Sequence, residues 1–209
     1  MPQSITRLLT APFLIAVFAL ASSAQQVAPI REQPLRVVEY SGDMSAFLSH
    51  LPSIFNTCIA FEIDPLEIQT PLTFRVKEAT FEDVLNAIVK AKPRYSWRRD
   101  GDSVEIYPVQ HPHPLLDTRI SSLRINNIKL NEALQQVLSS TEVRGALLNS
   151  GLRLAPMVRR VDDQDQRFSI SADDITLRQA LDEIAESSGA RFWVFQLIGP
   201  NRDSVFIRF

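Results

Sequence analysis

Thr80–Trp97, TFEDVLNAIVKAKPRYSW, and Thr176–Trp193, TLRQALDEIAESSGARFW, are written on one template 96 positions apart. Without a gap, Thr80 aligns with Thr176, Phe81 with Leu177, Val84 with Ala180, Leu85 with Leu181, Ile88 with Ile184 and Trp97 with Trp193. Each copy opens on a threonine able to cap a helix and repeats apolar residues at i, i+3, i+4 and i+7. Each then breaks at Pro93 or Gly189 before an aromatic strand. Thr176 with Gln179 fits a capping box, and Thr80 with Asp83 is a weaker form of it. The chain therefore carries an internal duplication, with Leu85 and Leu181 as equivalent core positions.

Outward from the first copy, Leu35–Tyr40 reads as a strand, and Asp43 can cap a helix with Met44, Phe47, Leu48 and Leu51 on its apolar face. Pro52 fits either a second helix start or a break. Cys58–Ile63 and Thr70–Val76 are further strands, and Tyr95–Arg99 and Ser103–Tyr107 flank the turn dipeptide Asp100-Gly101 as a hairpin. The second copy is framed alike. Arg119–Ile125 is a strand, Leu130, Ala133, Leu134 and Val137 form a helix face, and Phe168 and Ile170 mark the strand before the second helix. Phe192–Leu197 and Ser204–Phe209 close the unit as a hairpin. A weaker pattern, a cap followed by an apolar residue, two variable ones, another apolar one and Leu, begins at Asp43, Thr80, Lys129 and Thr176. The extra length of the second unit is assigned to Gly151–Arg167, as an extended hairpin with Leu154–Val161 on one arm and Asp162–Asp165 at its tip.

The expected fold is α+β, with two tandem βαββαββ units, each of two helices packed on short sheets. The units span residues 35–109 and 118–209, joined by a Pro/His linker at 110–117, and the prolines of that linker predict separately folding cores.

Residues 1–24 combine Arg7, an apolar run from Leu8 to Ala21 and small residues Ser22 and Ala24 before Gln25, the pattern of a cleaved secretory signal peptide. That run is shorter than the ~20 residues of a spanning helix. Gln25, not a cysteine, stands directly after the cleavage site, so the chain does not read as a lipoprotein, and residues 25–34 read as a flexible leader. Losing Arg7 makes the mature chain one unit more acidic than the −2 of the full sequence, which argues against nucleic acid as a partner. Cys58, the single cysteine, sits in an apolar run and reads as a buried thiol.

No phosphate loop, nucleophile elbow or metal-spaced His/Cys/Glu set occurs, so the reading is non-enzymatic, with no catalytic residue, metal or cofactor. His111 and His113 belong to the linker, His50 to a helix surface, and the acidic tip 162–165 lacks the glycine and distal Glu of a calcium loop. Trp97 and Trp193, at matched positions, read as core anchors, and Arg98, Arg99, Arg159 and Arg160 as solvated charges.

Cys58–Tyr107, CIAFEIDPLEIQTPLTFRVKEATFEDVLNAIVKAKPRYSWRRDGDSVEIY, resembles the secretin and TonB short N-terminal domain: strand, short loop, T-x-x-x-x-L helix, aromatic hairpin. The second unit resembles it more loosely. The resemblance implies a compact periplasmic unit that contacts other proteins of the bacterial envelope. The expected function is a protein–protein interaction module that binds a periplasmic or outer-membrane protein, as an accessory of secretion or signalling, with no small-molecule substrate. Its candidate binding residues are Val104, Ile106, Val205 and Ile207, on closing strands where an edge could accept an extended segment. The alternatives are a small outer-membrane β-barrel, suggested by the alternating Val205, Ile207 and terminal Phe209, and a cell-wall hydrolase, which has only the compartment in its favour.

Overall fold

The computed structural model describes residues 35–64, 71–110, 112–155 and 166–209. The first half runs β1 (Leu35–Gly42), α1 (Met44–Phe55), β2 (Cys58–Glu62), β3 (Leu72–Ala79), α2 (Phe81–Ala91), β4 (Tyr95–Asp100) and β5 (Ser103–Pro108). A 3₁₀ turn, Pro114–Asp117, leads into β6 (Arg119–Ile128), α3 (Leu130–Leu138), α4 (Thr141–Asn149), β7 (Arg153–Leu154), β8 (Phe168–Thr176), α5 (Leu177–Ser187), β9 (Phe192–Ile198) and β10 (Ser204–Arg208). The described residues form an α/β protein of five helices and ten strands in three sheets, one of them a mixed six-stranded sheet.

The helix signals act locally as the sequence predicts. Thr80 and Thr176 each accept from the backbone N–H three residues on, and Asp83 and Gln179 reach back to the threonine N–H, so both capping boxes are closed. Thr80→Ala and Thr176→Ala should each lower stability by about 1 kcal/mol, measured by urea unfolding, with the two losses adding. Leu85 and Leu181 are both fully buried. Pro52 neither starts nor breaks a helix: it lies inside α1, where its carbonyl accepts from Asn56 N–H at the helix end.

The two halves share backbone detail beyond their element order. Positive φ recurs at matched places: Asn56 (φ 52) and Gly151 (φ 66) before β2 and β7, Glu78 (φ 51) and Asp174 (φ 52) before the caps of α2 and α5, and Gly101 (φ 59) and Arg202 (φ 54) in the hairpin loops. β2 pairs with β5 in parallel, Cys58 beside Ser103, and β7 pairs with β10 in parallel, Arg153 beside Ser204. This match moves the extra length of the second half. It lies in α4, ahead of β7, rather than in a hairpin over Gly151–Arg167, because β7 is already in register with β2. Residues 156–165, which include most of that expected hairpin and its acidic tip, lie outside the described residues.

The expectation of two separately folding cores is corrected by the central sheet. Its order is β4-β5-β2-β9-β10-β7, so three strands of each half join along a parallel β2–β9 seam. Ile59 N–H donates to the Arg191 carbonyl and Ile63 N–H to the Phe195 carbonyl across that seam. Helices cover both faces, which is why β2 reads as the unbroken apolar run Cys58-Ile-Ala-Phe rather than an alternation. Ile59, Phe61, Val104, Ile106, Phe192 and Val194 face α1 and α2, while Cys58, Ala60, Trp193, Phe195, Val205 and Ile207 face α3, α4 and α5. Each core borrows strand residues from the other half. The joint is built in as well, with Leu115 and Leu116 buried in the second core.

Candidate functional site

The closing strands on which an edge was expected are not equivalent in the sheet. β5 lies between β4 and β2, and Val104 and Ile106 are 0% and 1% exposed, so neither is an edge residue. β10 lies between β9 and β7, and Val205 and Ile207 turn their side chains into the second core. Strand addition is thereby corrected at Val104, Ile106 and Val205, whose strands have partners on both sides there; Ile207 lies past the two residues of β7 and turns its side chain into the second core.

The outer edges of the large sheet are β4 and β7, and their counterparts inside the sheet are β9 and β2. The seam thus joins one edge of each type, and the chain leaves one of each type at its ends. Along the strand-stacking direction the halves are related by a half-turn with translation, because β2, β5 and β9 run together while β4, β10 and β7 run against them. Such a head-to-tail relation does not close on itself. The two free ends differ from the seam. Where β9 carries Val194 and Phe195, β4 carries Arg98 and Arg99. Where β2 runs five residues, β7 runs two, and the sequence continues into Pro156, which has no N–H to donate.

Matched tryptophans show what the seam does. Trp97 Nε1 donates to Asn86 Oδ1 at 3.0 Å and Trp193 Nε1 to Asp182 Oδ1 at 2.7 Å, the same helix-to-strand bond in both halves. Trp193 is fully buried under the seam, whereas Trp97, on the open edge, is only partly covered. Both act as anchors for their own helix, and one of them retains an accessible flank.

A second feature lies at the junction. Arg178 of α5, 5% exposed, points between Glu62 of β2 and Glu105 of β5, with Nη2 at 3.7 Å from Glu62 Oε2 and Nε at 3.5 Å from Glu105 Oε1. Asp117 of the joint is 3.8 Å from the same guanidinium. Glu62 Oε1 accepts from His113 N–H at 2.5 Å, and Glu105 Oε2 accepts from Arg98 Nε at 2.7 Å. Among the described residues Glu62 Oε2, Glu105 Oε1 and Arg178 Nε have no hydrogen-bond partner. The guanidinium attracts both carboxylates without bonding either closely, so Coulomb attraction only partly offsets the loss of water. Burial accordingly pushes the Glu62 carboxyl up to about 7 against the pull of Arg178. Asp182, beneath Trp193, is also pushed up to about 7 by burial. The sequence carries a signal for this cluster: Glu62 and Glu105 each stand alone in an otherwise apolar strand, CIAFE and SVEIY.

A cavity of about 160 Å³ lies where α1 begins over the back of β9 and β10, between Met44, Ser45, Phe61, Tyr95, Phe206 and Arg208. Arg208 donates to Ser45 Oγ across it.

The remaining candidates fall in place individually. Burial holds the Cys58 thiol far above its usual range, which keeps it protonated. His113 stacks on Phe195 with centroids 5.2 Å apart, its Nδ1 accepts from Leu115 N–H, and burial holds its pKa below the usual histidine value. His50 is exposed on α1; His111, Arg159 and Arg160 lie outside the described residues. Among the described residues no group of three or more His, Cys, Asp or Glu is placed to hold a metal ion, and no helix is long and apolar enough to cross a membrane. No protein-family model matches the chain, and no curated protein matches it.

Proposed function

We propose that this chain is a non-enzymatic protein–protein interaction module of the bacterial envelope, exported to the periplasm, in which two divergent copies of a secretin and TonB short N-terminal-like unit are fused through one sheet. Its work is to hold a periplasmic or outer-membrane protein, as an accessory of secretion or signalling. The observation that carries this reading is the parallel seam, in which β2 of one half is taken up as an added strand by β9 of the other through backbone bonds. A unit that accepts a strand internally has the edge geometry to accept one from a partner. The barrel alternative draws less support from the same sheet, since helices cover both its faces, whereas a barrel turns apolar side chains to lipid on one face and a polar lumen on the other.

The test is photo-crosslinking in intact cells, with the reactive group placed at Ser96 and Asp100 on β4 and at Leu148 on α4 as the control. Adducts to one envelope protein from the β4 positions are the expected result. A mature protein that stays in the cytoplasm, or that yields no adduct from any position, would sink the reading.

A further inference from the structure

We infer that the outer edge of β4 is a docking strand for an extended, acidic and apolar segment of a partner protein, entering parallel to β4 with a small residue beside Trp97 and a carboxylate beside Arg99. The inference deepens the proposed function and rests on its strand-addition reading. The seam supplies the template. β9, the counterpart of β4, receives β2 with Ala60 beside Trp193, Phe61 beside Val194 and Glu62 beside Phe195. Carrying that register across puts the alanine position beside Trp97, the phenylalanine position beside Arg98 and the glutamate position beside Arg99.

Backbone, shape and charge agree on this occupant. Val109 N–H donates to the Arg94 carbonyl, and the antiparallel alternation that follows turns the backbone groups of Trp97 and Arg99 away from β5, toward the open side. Among the described residues no strand lies there. A small side chain opposite is what the Trp193 counterpart accepts, and Trp97 has an uncovered flank where Trp193 has none. Arg99 in place of Phe195 sets a cation beside the position that Glu62 fills in the seam, which favours a carboxylate there. Both guanidiniums have carboxylate neighbours of their own. Arg98 is bonded to Glu105 at 2.7 Å, and Arg99 lies 3.8 Å from Glu82, a long exposed pair that an incoming carboxylate can displace. A second copy of this chain fits less well, because its own free edge, β7, is two residues long and runs into Pro156.

The probe is a synthetic peptide of residues 57–64, TCIAFEID, carrying Cys58→Ser, which already has the small residue and the carboxylates in the required order. Added to the mature protein, it should shift the amide resonances of Trp97 and Arg99 and blue-shift the tryptophan emission. Trp193 is already buried, so that emission change reports Trp97. Arg99→Pro removes an outward N–H without touching the β5 ladder and should weaken peptide binding roughly tenfold or more in a folded protein. Arg99→Glu keeps the backbone donor; it should weaken this peptide and restore binding of the version carrying Glu62→Lys. Failure of the peptide to bind at millimolar concentration, or equal binding by all three proteins, overturns the inference. Self-association of the unliganded protein that Arg99→Pro abolishes would also overturn it, in favour of a second copy. Capture of the same envelope partner by Arg99→Pro as strongly as by the unaltered protein would remove β4 from the function while leaving that function standing.

Discussion

Arg178→Met should lower the unfolding free energy by about 3–5 kcal/mol at about pH 9, where Glu62 is ionised, the cost of leaving buried carboxylates without their cation. Arg178 comes from α5, Glu62 and Glu105 from the first half, and Asp117 from the joint, so the loss falls on the contact between halves rather than on either helix layer. Arg98 still faces Glu105, which leaves Glu62 as the main orphan. The loss should therefore shrink at about pH 5, where Glu62 can take a proton instead of a counter-ion, and in the double variant with Glu62→Gln. Urea unfolding at both pH values measures it. A cost below about 1 kcal/mol at about pH 9 would show that the methionine packs as well as the ion cluster it replaces.

Glu62→Gln should have the opposite sign and a distinct pH signature. The folded-state pKa of Glu62 is raised from 4.5 to about 7, so the fold prefers the neutral acid. Below about pH 4.5 the group is protonated folded or unfolded and costs nothing; between there and about 7 the unfolded chain ionises first, and stability falls as pH rises. That displacement corresponds to at most about 3 kcal/mol, fully expressed above neutral pH. Glutamine keeps an acceptor for His113 N–H and removes the titration, so the variant should be more stable than the parent above pH 7 and indistinguishable from it near pH 4.5. The difference between the two proteins is the quantity to measure. Asp182, also raised by burial, contributes the same slope to both, and His113, lowered by burial, works the other way as pH falls below about 6.5. A difference that does not change with pH between about 5 and 7.5 would mean that Glu62 is ionised at little cost.

The first expectation concerns a residue that local patterns do not single out. Arg178 occupies an ordinary position in a capped helix, two residues after Thr176, and its counterpart in the first half is the exposed Glu82. Nothing within α5 distinguishes a buried arginine from a solvated one. Its role exists only because β2 and β5, more than seventy positions earlier in the chain, lie beneath it. α4 was missed for a local reason. Only Val143 and Leu147 of that helix are buried, Gly145 adds no side chain to their face and Leu148 is 77% exposed, so it presents too narrow an apolar stripe to be read.

By itself the sequence determined what short-range chemistry determines: two capped helices ending in aromatic hairpins, the repeat that relates them, the Asp100-Gly101 turn, and the core identity of Leu85, Leu181 and Trp193. Caps, periods of 3.6 and turn dipeptides act over a few residues, so they are written where they act. The tertiary structure alone decided that the halves share one sheet, that Val104 and Ile106 are interior while β4 is an edge, and that Glu62, Glu105 and Arg178 meet. Strand pairing joins residues far apart in the chain, and which apolar edge takes which neighbour depends on faces that exist only once both halves are folded.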